Sequence, residues 1–139
     1  MKKIISILLC GLMMFVLIGC GSTASKKALN AEEYGSKLKE AGLSIENIEV
    51  TTAENDKNKL MGRPNQYTSK INFTNGTIEV FANKEDAKNR KEYIDTIGKK
   101  ASMLAEYSYV NDAGTLLRID KKVTPDDAKK YEEAFQKIK

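Results

Sequence analysis

The 139 residues carry 23 Lys or Arg against 19 Asp or Glu, with two cysteines and neither histidine nor tryptophan. The absent histidine excludes Ser-His-Asp and Cys-His catalysis and any histidine-held metal. A formal charge of +4, two of whose lysines open the chain, is no nucleic-acid footprint, and no nucleotide loop, metal spacing or nucleic-acid module occurs.

The chain opens with basic Lys2 and Lys3, runs apolar from Ile4 to Ile18, and breaks at Gly19-Cys20-Gly21-Ser22. A secretory signal has a charged start, about 7–15 apolar residues and small residues at the cut, whereas a spanning helix needs about 20. Leu17-Ile18-Gly19-Cys20 resembles the lipobox of bacterial lipoproteins. That resemblance implies a diacylglyceryl group on the Cys20 thiol and cleavage just before it. Residues 1–19 are then the signal peptide, 20–30 a lipidated tether and 31–139 a single domain. The implied address is the outer face of the bacterial cytoplasmic membrane, with the outer membrane as the alternative. A plain secretory signal and a retained signal anchor are the competing readings. Cys10 leaves with the signal and Cys20 carries lipid, so no disulfide is expected, and stability must come from an ordinary core.

Gly21 to Leu29 is small and polar, without periodicity, and reads as the tether. A first helix is predicted over Ala31–Ala41: Asn30 caps it, Glu33 completes a capping box, and Ala31, Tyr34, Leu38 and Ala41 form one stripe. Gly42 stops it and Leu43 closes back on Leu38. Ile45, Ile48 and Val50 mark a short strand. Ala53 to Gln66 is the least regular part, and Pro64 forbids a helix there.

Tyr67 to Ala82 predicts a hairpin turning at Asn75-Gly76, both in positive φ. Phe73 then faces Ile78, Ile71 faces Val80 and Ser69 faces Ala82. The other face mixes Lys70, Asn72 and Glu79 with Phe81, so the sheet is expected to be covered on one side only. A second helix follows over Lys84–Met103, capped by Asn83, with Ala87, Ile94, Ile97, Ala101 and Leu104 buried and Tyr93 at their border. Gly98 weakens its middle. Next comes a hairpin of Glu106–Asn111 and Thr115–Asp120 through Asp112-Ala113-Gly114, with Tyr109 opposite Leu117 and Tyr107 opposite Ile119. Thr124-Pro125-Asp126-Asp127 starts the last helix, with Ala128, Tyr131, Phe135 and Ile138 inward. The fold class is α+β: a mainly antiparallel sheet of about four strands, covered on one face by helices, in the order α-(β)-β-β-α-β-β-α. Glu85-Asp86-Ala87-Lys88 matches Asp126-Asp127-Ala128-Lys129 at a fixed offset, which either duplication or convergence on good helix starts explains.

The candidate binding residues are Arg63, Asn65, Gln66, Tyr67 and Lys70. A loop rich in Gly, Arg, Pro, Asn and Tyr, delivered onto a strand, has the makeup of a recognition surface. Arg63 offers a planar fork for a carboxylate or phosphate; the competing reading makes Gly62 and Pro64 a turn and Arg63 half of an ion pair. Arg90 and Arg118 are candidates to join it in a basic patch. No catalytic residue, metal or cofactor is expected. GRPNQYTSKINF and TIEVFANKEDAKNRKEYI resemble a group of small bacterial lipoproteins and secreted proteins of unassigned function, which implies a shared domain and no activity. The expectation is a membrane-anchored, non-enzymatic binding module whose partner is an envelope protein, peptide or polymer. A carboxylate-dependent envelope hydrolase and a structural lipoprotein without a discrete ligand are the alternatives.

Overall fold

The computed structural model describes residues 27–139. The signal, Cys20 and the tether as far as Lys26 lie outside the described residues. The elements are α1 (Ala31–Glu40), β1 (Glu49–Val50), β2 (Ser69–Phe73), β3 (Gly76–Val80), α2 (Lys84–Lys100), a 3-10 turn (Ser102–Leu104), β4 (Glu106–Val110), β5 (Thr115–Asp120) and α3 (Pro125–Gln136). The chain is α+β, with one antiparallel sheet of five strands in the order β1-β2-β3-β5-β4. The fifth strand is the short segment at Glu49–Val50, which joins the edge by pairing Val50 with Ile71.

Helix ends follow the local chemistry. The Asn30 side chain accepts from the Glu33 amide at 2.8 Å and the Glu33 carboxylate accepts from the Asn30 amide at 2.7 Å, so both halves of the capping box form. Leu43 N–H donates to the Leu38 carbonyl at 3.1 Å beyond Gly42, whose φ is 86°. Asn83 and Thr124 cap α2 and α3 through one half of that arrangement, their side chains accepting from the Asp86 and Asp127 amides. The second helix passes through Gly98 but stops at Lys100, short of the expected Met103: Ala101 is extended, a separate 3-10 turn follows, and Leu104, expected in the buried stripe, is exposed.

The first hairpin keeps its predicted faces but shifts its partners by two residues. Phe73 pairs with Gly76 and Ile71 with Ile78, so the turn is centred on Thr74-Asn75, and neither Asn75 nor Gly76 has positive φ. Tertiary contacts hold this turn instead of the Asn-Gly preference. Glu46 O accepts from Thr74 N at 2.9 Å, Asn75 O accepts from Asp120 N at 2.9 Å, and Thr74 O accepts from Lys122 Nζ at 2.8 Å. Gly76 is needed for close approach, since a Cβ there would lie 2.0 Å from the Arg118 carbonyl oxygen on β5. The second hairpin has the expected register, Tyr109 with Leu117 and Tyr107 with Ile119, and Gly114 turns it at φ 82°.

Helices cover both faces of the sheet, which corrects the expectation of one covered face. On one side α1 and α3 bury Tyr34, Leu38, Ala128, Tyr131 and Phe135 against Ile71, Ile78, Leu117 and Ile119. On the other, Ala87 of α2 packs with Tyr67, Phe81 and Leu116, and Leu60 and Met61 of the long loop close over them. Neighbouring Leu116 and Leu117 point to opposite faces and are both fully buried. Phe81, expected at a partly covered edge, belongs to this second core. Since α2 and α3 take opposite faces, their similar starts do not extend into a repeated three-dimensional unit.

Both sheet edges are occupied by side chains. Asn55 Nδ2 donates to the Val50 carbonyl at 2.9 Å on β1, and Gln136 Nε2 of α3 donates to the Val110 carbonyl at 3.1 Å on β4.

Candidate functional site

The irregular stretch ahead of β2 is organised by Asp56. Its carboxylate accepts from the amides of Asn58 (3.1 Å), Leu60 (2.8 Å) and Met61 (2.8 Å), and from the Tyr67 hydroxyl (2.9 Å). Burial works to raise its pKa, but the donors from Met61, Tyr67, Leu60 and Asn58 outweigh burial and hold it down to about 2. The Tyr67 phenol is pushed well above its ordinary value, first by burial and then by the hydrogen bond to Asp56 and its charge. Gly62 N–H donates to the Tyr67 carbonyl at 2.9 Å and ties off a small loop with Arg63, Pro64, Asn65 and Gln66 at its tip. Positive φ at Gly62 (74°) and Asn65 (62°) makes that tight course possible. The loop is thus braced from beneath and its tip is free to present side chains.

The five predicted residues part company here. Asn65 and Gln66 line an open cleft of about 410 Å³ opposite Asp86, Asn89, Arg90 and Tyr93 of α2, with Leu60 at its floor. Arg63 is exposed, does not line this cleft, and makes no ion pair among the described residues. Tyr67 is completely buried, so it supports the site and cannot touch a ligand, a correction to its place among the binding residues. Lys70 points beneath the cleft: its Nζ lies 3.7 Å from Glu79 and 5.1 Å from the centre of the Tyr67 ring.

Glu79 is the centre of a buried charge cluster. It sits on β3 with no exposed surface, and three cations surround it: Lys70 from β2, Arg90 from α2 through Nε and Nη2 (3.3 and 3.4 Å), and Arg118 from β5 through Nη1 (3.3 Å). Arg118 also forks onto Glu106 of β4 at 2.7 and 3.1 Å, the bidentate geometry that favours arginine. A carboxylate taken wholly out of water is tolerable only when paired and hydrogen-bonded, and here every neighbouring element contributes a partner. Arg90 and Arg118 therefore share a cluster, as the sequence allowed, but with Lys70 and two acids in place of Arg63. Alongside it on the same helix, Asp95 accepts from Ser108 at 2.5 Å and pairs with Lys91.

Sequence reasoning missed Asp56, Glu79 and the α2 wall of the cleft. The signal for the wall was present: Asp86, Asn89, Arg90 and Tyr93 follow helical spacing along one face of α2, offset from its Ala87 and Ile94 stripe. Among the described residues no group of three or more acids or cysteines is arranged to hold a metal, and no helix is long and apolar enough to cross a membrane. Comparison with protein-family models, with curated proteins and with solved structures finds no match to the chain.

Proposed function

We propose that this chain is a lipid-anchored, non-enzymatic binding module of a bacterial cell envelope, holding its ligand in the cleft between the Gly62–Tyr67 loop and α2. The lipobox pattern around Cys20 supports the address. The observation that carries the binding reading is the construction of the loop. Its base is locked by a buried carboxylate with four donors, while Asn65 and Gln66 at its tip face the polar groups of α2 across open space. A preformed concave surface with a few fixed polar groups is the usual form of a ligand site.

Hydrolysis by paired carboxylates has weaker support. Asp56 is saturated with donors and Glu79 is enclosed by cations. Asp86, the acid on the cleft, already pairs with the Asn83 amide at 2.8 Å.

Pull-down from envelope fractions with the purified protein tests the binding reading. Recovery of a partner by the wild type and its loss in Asn65→Ala/Asn89→Ala is expected; equal recovery by both removes the cleft. Both positions are exposed, so truncating them leaves the Asp56–Tyr67 brace of the loop intact. For the anchor, mass spectrometry of the mature protein should show diacylglyceryl mass that disappears in Cys20→Ala. Its persistence in that variant overturns the anchor.

A further inference from the structure

We infer that the cleft takes an uncharged saccharide, its ring resting on Tyr93 and its hydroxyls shared among the surrounding amides; this rests on the reading of the cleft as the binding site. The electrostatics of the cleft argue against an anion as ligand. Its cation, Arg90, has a side chain only 17% exposed and is already committed to Glu79. Its acid, Asp86, would repel an anion, and its partner Asn83 is uncharged. An anionic guest would give up its hydration without gaining a free counter-charge.

The uncharged groups fit a polyol much better. Asn65, Gln66 and Asn89 each present a carboxamide that both donates and accepts, and vicinal hydroxyls offer the same pair of functions. The spare acceptor capacity of Asp86 and the outer N–H of Arg90 extend that set. Tyr93 is 57% exposed, so its ring is open to a guest in the cleft. The Arg90 guanidinium carbon lies 5.5 Å from its centroid, which holds the ring against the wall of the cleft. The ring offers an apolar body and a polar tip, matched to the C–H face and hydroxyl rim of a pyranose. A volume of about 410 Å³ holds one or two sugar rings and leaves a polymer free to continue on either side.

The full-length lipidated protein in detergent micelles, titrated calorimetrically with neutral β-1,4-linked tetrasaccharides of glucose and of N-acetylglucosamine, tests this. A galacturonate tetrasaccharide and inorganic phosphate serve as the anionic arms. At least one neutral sugar should bind, with affinity falling about tenfold or more in Tyr93→Ala and holding within about threefold in Tyr93→Phe. Thermal melting should show both variants folded. Binding of the anionic probes alone overturns the saccharide. So does an envelope pull-down that depends on Asn65 and Asn89 while neither neutral sugar binds; in that case the cleft stands and its ligand class is wrong. If neither neutral sugar binds and the pull-down is indifferent to Asn65 and Asn89, both readings fall.

Discussion

Four donors converge on the Asp56 carboxylate, and their pull against the penalty of burial sets its protonation. The group is held down to about 2 in the fold against an ordinary value of 3.8. A depressed carboxylate contributes stability that is complete above its unfolded pKa and lost as pH falls through its folded one. The contribution of Asp56 should therefore be fully present above about pH 4 and vanish by about pH 2. Urea midpoints of the wild type and Asp56→Asn should differ at neutral pH and converge across that window. Tyr67→Phe keeps the ring and three of the four donors, and should cost about 1.5 kcal/mol, the lower end for a hydrogen bond to a charged partner. Neither role was visible in the sequence. Asp56 stands among Glu54, Asn55, Lys57 and Asn58 as one more polar loop residue, and only folding brings Tyr67 back over it.

At the scale of the elements, what local chemistry decides was readable and what tertiary contact decides was not. The caps at Asn30, Asn83 and Thr124 and the stop at Gly42 are interactions within a few residues, and all formed as predicted. The first turn was misplaced because Gly76 looked like a conformational glycine and is a steric one. Two substitutions separate these roles. Gly42→Ala sets a side chain at φ 86° in open space and should cost about 1 kcal/mol. Gly76→Ala drives a Cβ into the Arg118 carbonyl, forces β3 away from β5, and should cost about 3 kcal/mol or more. Equal chemical-denaturation midpoints for the two variants would contradict that division.

For the whole molecule, the unforeseen feature is the second covered face. Lys70, Glu79 and Arg118 at alternate strand positions have the pattern of a solvated surface. Alternation reports polarity, and polarity does not reveal whether charges are satisfied by water or by one another. With three cations around Glu79, the face closes under α2, and the apolar residues Phe81 and Leu116 at its end become core. Removing the central charge should unbalance all of it. Glu79→Gln is expected to destabilise by about 3–5 kcal/mol, the cost of leaving buried charge unpaired. Lys130→Ala, which breaks the exposed contact to Asp127, should leave the urea midpoint unchanged. Comparable shifts in the two would mean that the Glu79 cluster is no more than a surface network.

The amides of Asn55 and Gln136 acquire a different meaning on a membrane. Chains held there by lipid, as proposed, would diffuse in two dimensions, where copies meet far more often than in free solution. Under that crowding an open strand edge would recruit the next molecule and zip sheet to sheet. The side chains already seated on the Val50 and Val110 carbonyls make such templating costly. On such a membrane they would hinder neighbouring copies from joining edge to edge.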